Sequence, residues 1–362
     1  MKVAVGLSGG VDSSVAALLL KRAGYDVTGV TMKLWQEGRY VGGMHDACFG
    51  PGEADDIASA AAFAEKIGIP YRTFDCASAY EKEILAYFRN TYLNGRTPNP
   101  CVFCNAKMKF GLLPDLAAAQ GLAFDKFATG HYARVEERNG RFVLLRAKDV
   151  RKDQSYFLYR LSQRQLARQL FPLCELTKEE VRQIAAEAGL AMADKPDSQD
   201  FYSGDRNELL GAQPREGDIV GTDGRRLGRH RGFWNYTIGQ RKGIGIAAAE
   251  PLYVVRLDAC RNEVVVGTRA ELTKTEFHVT DMQWGAFSPR EGCAPARPQP
   301  IPCRVKIRST GEPRGPATFE VEPSGAEVVC HIADGLAGVT PGQSAVFYEA
   351  EGDAVLCGGV IA

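Results

Sequence analysis

Nine consecutive residues, Gly6-Leu7-Ser8-Gly9-Gly10-Val11-Asp12-Ser13-Ser14, combine glycines, hydroxyls and one carboxylate. Glycines let a pyrophosphate come close to the main chain, and the free N–H groups and positive dipole end of a helix start attract it. Ser8, Ser13 and Ser14 add hydroxyl donors. The order lacks the GK[ST] ending of a Walker A loop and the spacing of a GxGxxG dinucleotide turn. A second group is Asn99-Pro100-Cys101-Val102-Phe103-Cys104-Asn105. A CxxC pair serves zinc, redox chemistry or a cluster. Zinc wants two further ligands at metal spacing, and the chain has no second CxxC and no close CxxH. Thioredoxin-like chemistry wants the pair at a helix N-terminus near a first strand, a context that this reading does not give it. Cys48, in DACFGPGE, follows the second strand-like run and opens the next helix. Three thiolates at one sheet edge could hold an iron–sulfur cluster with one iron left open, or carry sulfur directly as nucleophiles. A plain helix-start thiol accounts for Cys48 equally well.

A third group is basic. Arg146, Lys148 and Arg151 precede Lys152-Asp153-Gln154-Ser155-Tyr156-Phe157, and the run RRLGRHRGFWNYTIGQRK from Arg225 to Lys242 contains no acid and interleaves Phe233, Trp234 and Tyr236. Basic and aromatic residues together suit phosphate contact plus base stacking. A solvated helix start and a charged surface hairpin explain the same residues without any ligand.

These groups need elements to position them. Residues 1–5 (MKVAV) read as a buried strand and 14–23 (SVAALLLKRA) as a helix, so the glycine and serine turn joins strand to helix. Strand-like runs at 26–32, 71–74 and 124–129 alternate with helical ones at 51–67, 78–93 and 107–120. That rhythm predicts an α/β fold, a doubly wound parallel sheet with helices on both faces, whose ligands bind outside the carboxyl ends of the strands. The 6–14 turn, Met32-Lys33 and Thr129-Gly130-His131 all fall at such ends. A helical stretch follows from Ser155, with Thr177 and Glu180 spaced as a capping box. After about Ser203 short β-rich runs take over (LYVVRLD, EVVVGT, CRVKIR, ATFEVE, AEVVCHI, SAVFYEA), which predicts a small central β-domain and a C-terminal β-barrel or sandwich. The expected boundaries are 1–203, 204–275 and 276–362.

The 362 residues, 45% of them apolar, suffice for two or three domains, and a net charge of zero leaves any nucleic-acid case to local patches. No run approaches the roughly 18 apolar residues of a membrane span and no leader pattern opens the chain, so the expected location is cytoplasmic, away from membranes. Ten cysteines in that setting do not read as a disulfide framework. Cys76, Cys174, Cys260, Cys303, Cys330 and Cys357 read as small buried thiols.

SGGVDSS resembles the PP-loop of ATP pyrophosphatases, which cleave ATP between the α and β phosphates, transfer AMP to a carbonyl oxygen and release pyrophosphate. With GRTPNPCVFCN at 95–105, Lys109-Phe110, ATGHYAR at 128–134, KDQSYFLY at 152–159, Asp197-Ser198-Gln199, TIGQRKGIGI at 237–246 and TPGQSAVFY at 340–348, the chain resembles the bacterial tRNA-specific 2-thiouridylase family nearly end to end. The resemblance implies an adenine nucleotide alpha hydrolase-like catalytic domain. It also implies an enzyme that adenylates the C2 oxygen of a tRNA wobble uridine and replaces it with sulfur. It puts ATP on Gly6, Leu7, Ser8, Gly9, Gly10, Val11, Asp12, Ser13, Met32 and Gly130, and the target base on Asn99, Pro100 and Cys101. Further tRNA contacts fall to Lys152, Asp153, Gln154, Arg308 and Ser309, and Cys104 takes the nucleophile position. Mg²⁺ would accompany the ATP, with Asp12 as the residue that positions it.

One departure matters. The family's DSQ segment continues to a cysteine that carries persulfide sulfur, and here that position is Tyr202. The CFGP element around Cys48 is the expected compensation: Cys48, Cys101 and Cys104 resemble the ligand set of iron–sulfur-dependent relatives with a [4Fe-4S] cluster. The alternative is a persulfide on Cys104 or Cys101 alone. Either route needs a sulfur donor or relay protein, and DNA is not an expected partner. Two other function classes use parts of the same sequence. A PP-loop ligase or synthetase acting on a small molecule would share the adenylation but not the basic segment, and a non-catalytic tRNA-binding protein would not need the intact loop.

Overall fold

The structure is a computed structural model that describes residues 1–36, 38–40, 47–190, 201–289 and 299–362. The chain divides into two compact units, one of Met1–Leu85, Pro100–Asp205 and Asp353–Val355, the other of Ala86–Asn99, Arg206–Gly352 and Leu356–Ala362.

In the first unit β1 (Lys2–Gly6), α1 (Val11–Arg22), β2 (Asp26–Lys33), α2 (Glu53–Ile67) and β3 (Tyr71–Asp75) alternate as the periodicity predicts. The segment α3 (Ala77–Tyr80) passes into π-helical Glu81–Leu85, where the chain leaves this unit for α4 (Ala86–Leu93) of the second. Likewise α5 (Pro100–Cys104) passes through π-helical Asn105–Leu112 into α6 (Leu113–Ala119) and on to β4 (Lys126–Ala128). A hairpin of β5 (Arg134–Arg138) and β6 (Arg141–Leu145) comes next, absent from the strand pattern read above. Asn139 and Gly140 at its tip have φ of 51° and 74°, the left-handed pair that a two-residue hairpin turn requires. The helical stretch from Ser155 is broken into α7 (Ser155–Leu158), α8 (Gln163–Ala167), a two-residue β7 (Gln169–Leu170) and α9 (Lys178–Glu187). Thr177 and Glu180 cap α9 reciprocally, as their spacing predicts.

The sheet order is β3-β2-β1-β4-β7, every pair parallel. Val3 and Val5 of the central strand pack with Val15 and Ala16 of α1, Phe63 and Ala64 of α2, and Val181 and Ala185 of α9, all buried. Each such side chain contributes about 1.5–3 kcal/mol when fully buried, so β1 and α1 hold the turn between them rigidly.

The second unit continues with α10 (Arg206–Leu210), β8 (Gly217–Gly221), β9 (Arg226–His230), β10 (Tyr253–Asp258) and β11 (Glu263–Gly267), the strands forming a sheet of order β10-β11-β8-β9. After α11 (Arg269–Leu272), the strands β12 (Thr273–Trp284), β13 (Ile301–Lys306), β14 (Arg314–Val321), β15 (Val328–Ala337), β16 (Ser344–Glu349) and β17 (Val355–Ile361) close a barrel of order β12-β15-β14-β13-β16-β17. Closure leaves no sheet edge to aggregate. Phe277, Val305, Phe319 and Phe347 fill the interior together with Cys303, Cys330 and Cys357. Those cysteines and Cys76 are buried as expected, whereas Cys260 is exposed and Cys174 half-buried. No helix among the described residues is long and apolar enough to cross a membrane.

Candidate active site: the phosphate loop and the thiol cluster

The turn after β1 is held from both sides. Leu7 N–H donates to Val30 O at 2.9 Å and Thr31 Oγ1 to Leu7 O at 2.7 Å, which fixes the loop to the neighbouring strand. Gly9 has a φ of +71°, and a Cβ there would stand 2.5 Å from the Asp56 carbonyl oxygen, so the position takes only glycine. Ser13 and Ser14 donate their hydroxyls to Gly10 O, and the Ser8 hydroxyl lies 3.2 Å from that of Ser13. Gly10 caps α1 without any side-chain bond, which leaves the first-turn N–H groups facing the loop's concavity. Gly130 closes the opposite side: a Cβ on it would meet Asp12 C and Ser13 N at 2.5 Å. The sequence therefore placed Gly6 through Ser13 and Gly130 in one cradle. Met32 ends the adjacent strand, and Glu53 pins the chain just beyond it by accepting N–H bonds from Leu34 and Trp35 at 2.7 and 2.9 Å.

Two partners of Asp12 were not foreseen. Lys178 Nζ lies 2.7 and 2.8 Å from its carboxylate oxygens, and Tyr132 donates its hydroxyl to Oδ1 at 2.9 Å. The Lys178 side chain is 5% exposed, so this is a desolvated, charge-assisted pair. One signal for it stood in the sequence. A lysine in the first turn of a helix opposes the dipole, and Lys178 directly follows the capping Thr177, so it needs a carboxylate nearby.

The CxxC pair opens a helix after all. Pro100 takes the first position of α5, and Cys101 and Cys104 follow three residues apart on neighbouring turns. Both thiols are half-buried and neither is in a disulfide. Burial pushes the Cys104 thiol up to about 11, against the downward pull of Lys109, and Cys48 and Cys76 push it further up. Tyr80 is buried, and desolvation first, then the charges of Cys104, Cys101 and Cys48, hold its hydroxyl well above its ordinary value. Cys48 is exposed, and its neighbour Phe49 packs on Trp35, Tyr80 and Tyr202 at ring separations of 5.0, 5.1 and 6.1 Å. Phe49 N–H also donates to Phe201 O at 2.9 Å. The CFGP element thus lies alongside Tyr202, where the family pattern has its second cysteine. Asp197, Ser198 and Gln199 lie outside the described residues.

The residues assigned to tRNA by resemblance separate into two kinds. Asp153 is turned inward, where it accepts from Ala147 N, Ser155 N and Ser155 Oγ at 3.3, 3.2 and 2.8 Å and faces the buried Arg146 at 3.6 Å. Gln154 clamps Tyr132, its Oε1 accepting Tyr132 N–H at 2.9 Å and its own N–H donating to Tyr132 O at 2.8 Å. Lys152 is half-buried on the same loop. In the second unit Asn99 is buried with its N–H on Tyr87 Oη at 3.1 Å, and Arg308 and Ser309 are exposed. The Arg308 guanidinium lies over Gly338 and Gly239, the latter in the TIGQ turn. The basic and aromatic reading of 225–242 needs correction. Phe233 and Trp234 are core residues at 3% and 5% exposure, with Trp234 Nε1 bonded to Asn207 Oδ1, and so are closed to base stacking. Arg226 and Arg229 pair with Asp218 and Glu216 across the β8–β9 ladder. Arg225, Arg231, Arg241 and Lys242 remain exposed.

The model of the tRNA methyl transferase HUP domain matches residues 1–202, that of the tRNA methyl transferase PRC-barrel domain 208–268, and that of the aminomethyltransferase beta-barrel domain 274–361. The tRNA-specific 2-thiouridylase MnmA of Endomicrobium trichonymphae is 45% identical over all of this chain and 99% of that protein. The proteins of the same name from Gloeothece citriformis and Clostridium perfringens are 44% and 41% identical over 99% of this chain and 99% and 98% of theirs. With identity at this level spread over the whole length and all three family models matched in order, the chain belongs to the tRNA-specific 2-thiouridylase family.

Proposed function

We propose that the chain is an ATP-dependent tRNA-uridine 2-sulfurtransferase. The observation that carries this reading is the presence, in one unit, of a phosphate cradle with a fixed carboxylate and of the half-buried thiols Cys101 and Cys104 at the start of α5. The family models are described by methyl transfer and the curated relatives by thiolation. A phosphate cradle in the same unit as the thiols supports the second name, because a carbonyl oxygen must be activated before sulfur can displace it.

The chemistry runs in two steps. The uridine O2 attacks the α-phosphate of ATP held by Gly6 to Ser13, Met32 and Gly130, and pyrophosphate leaves towards the N–H groups of α1. The terminal sulfur of a persulfide on Cys104 then adds at C2, the C2–O bond breaks and AMP departs with the oxygen. A second thiol of the set attacks the Cys104 sulfur, so that the S–S bond breaks, the thiocarbonyl is released and a disulfide remains for a thiol reductant to reopen. Mg²⁺ would neutralise charge building on the pyrophosphate, and Asp12 would hold it only by giving up Lys178 Nζ, which engages both of its carboxylate oxygens. The wobble base must be splayed out of the anticodon loop to reach the site, with Asn99, Pro100 and Cys101 about it and Lys152, Arg308 and Ser309 on the RNA backbone. Cys104 is the nucleophile position and Cys101 its neighbour on the same helix.

Cys48, Cys101 and Cys104 are donors of the type that ligates iron. Among the described residues, however, no group of three His, Cys, Asp or Glu side chains is close enough to hold a metal ion. The sulfur step is therefore assigned to the thiols, supplied by a persulfide donor protein, with Cys48 compensating for the cysteine that Tyr202 replaces. Iron and acid-labile sulfide in anaerobically purified protein, lost on Cys48→Ala, would move the assignment to a cluster. The deciding experiment incubates the chain with ATP, a persulfide donor and tRNA bearing a wobble uridine. Expected are 2-thiouridine by mass spectrometry and tRNA-dependent release of AMP and pyrophosphate. AMP formation indifferent to tRNA would overturn the reading in favour of a small-molecule ligase.

A further inference from the structure

The bonds around Asp12 form a closed circuit that includes the loop at 149–154. Starting at the phosphate loop, the Asp12 carboxylate accepts from Lys178 Nζ at 2.7 and 2.8 Å and from Tyr132 Oη at 2.9 Å. The Tyr132 main chain is gripped on both sides by Gln154. Gln154 ends a loop that turns on Asp149, which takes Arg151 N–H on Oδ1 at 3.1 Å and Lys152 N–H on its carbonyl at 3.0 Å. Asp149 Oδ2 in turn accepts the backbone N–H of Lys178 at 3.1 Å, which returns the circuit to its start. Tyr132, Asp149 and Lys178 are buried at 2%, 5% and 4% exposure, while the Asp12 side chain keeps 26%, so the circuit is shielded on its protein side, where a broken hydrogen bond is expensive, and open at the phosphate loop.

We propose that Lys178 and Tyr132 are positioning residues that couple the two substrates: RNA engaged at Lys152 sets the Asp12 carboxylate for ATP through Gln154 and Tyr132, and ATP at the phosphate loop sets the 149–154 loop for RNA. The proposal rests on the sulfurtransferase reading for the identity of the RNA ligand. Its physical basis is geometric. Lys178 holds one residue of each loop, Asp12 through its ammonium and Asp149 through its main chain, and α9 is stopped at that point by the Thr177 cap. A shift of the 149–154 loop cannot be absorbed by Gln154 alone, because both of the Tyr132 backbone groups are engaged with it. The shift passes to the Tyr132 hydroxyl and to Asp12. Coupling of this kind is reciprocal and lets the enzyme hold ATP tightly only when an acceptor oxygen is present.

The test measures binding of α,β-methylene-ATP by calorimetry, with and without a saturating anticodon stem-loop, in the parent, Tyr132→Phe, Lys178→Met and Lys178→Arg. In the parent the stem-loop tightens nucleotide binding about tenfold, within the usual range of coupling between sites. Tyr132→Phe removes one hydroxyl from an otherwise unchanged ring; it binds each ligand alone within about threefold of the parent while the coupling ratio falls to about one. Lys178→Met loses the coupling likewise, and Lys178→Arg, which keeps a cation able to reach both carboxylate oxygens, restores most of it. A parent with no coupling, or variants of lowered melting temperature whose coupling ratio is unchanged, would overturn the circuit and reduce Lys178 to a structural ion pair. A parent that binds no stem-loop would instead overturn the sulfurtransferase reading itself.

Discussion

At the phosphate loop the charged partners are already in place. Asp12 sits between a buried ammonium and a tyrosine hydroxyl, Gly9 takes the left-handed φ of 71° that keeps the loop open to a ligand, and α1 starts without a side-chain cap. Around Cys104 the reverse holds. The thiol is desolvated and pushed up to about 11, so at neutral pH it is almost wholly protonated and a poor nucleophile. On the proposed reading, the difference teaches that the adenylating half of the site is preorganised and the sulfur half is held in reserve. Activation of the thiol must come with the substrates, whose entry replaces the apolar surroundings with charge and water. Such an order protects an enzyme that must not expose a reactive sulfur before an activated base is present.

The comparison is sharpest where one half can be removed without the other. Asp12→Ala or Gly9→Val lowers tRNA-dependent pyrophosphate release by at least about 100-fold, the effect of losing a positioned electrostatic group. In Gly9→Val the added carbon would overlap Asp56 O, so the loop cannot keep its shape. Cys104→Ser leaves pyrophosphate release within about threefold of the parent and abolishes 2-thiouridine. Equal loss of both products in Cys104→Ser would break the division into two halves.

A smaller effect separates the thiols. Cys48→Ala slows thiolation about tenfold and leaves adenylation intact, since on the proposed reading this exposed thiol, next to the Phe49 that packs on Tyr202, would receive sulfur and hold no phosphate. Full thiolation by Cys48→Ala would return that residue to the class of helix-start thiols. The smallest effect is in pH. Alkylation of Cys104 by iodoacetamide in the ligand-free enzyme, followed by peptide mass spectrometry, rises about tenfold per pH unit from 7 to 10, because only the thiolate reacts. The linkage sign agrees. The folded value lies above the ordinary 9.0, so the stability drawn from the neutral thiol is whole below pH 9 and is lost as the pH rises through about 11. An alkylation rate already flat above pH 8 would show a thiol activated before substrate arrives.

Some of this was legible in residues taken one after another. The 6–14 loop is local: its glycine torsions, the strand behind it and the helix ahead of it are properties of adjacent residues, and the parallel βαβ order follows from the same short-range patterns. The Asn139-Gly140 turn and Pro100 at the start of α5 were equally local signals, and reading them would have given the β5–β6 hairpin and the helical CxxC. The basic segment misled because composition does not say which face a side chain takes. In 225–242 Phe233 and Trp234 went to the core and two of the arginines to acids in and just before the preceding strand, consequences of packing and strand pairing that composition does not carry.

By itself the sequence determined the phosphate loop, the parallel sheet that carries it, the β-rich second half and, through motifs spread over the whole length, the family. Those follow from local torsions and from the spacing of apolar residues. Tertiary structure alone decided that Lys178, 166 positions from Asp12, would supply its counter-ion, that Asp153 would turn inward to frame its loop, and that Cys104 would be desolvated. Charge pairing and desolvation depend on which chain segments exclude water from one another, and residues far apart in sequence settle that only when the chain is packed.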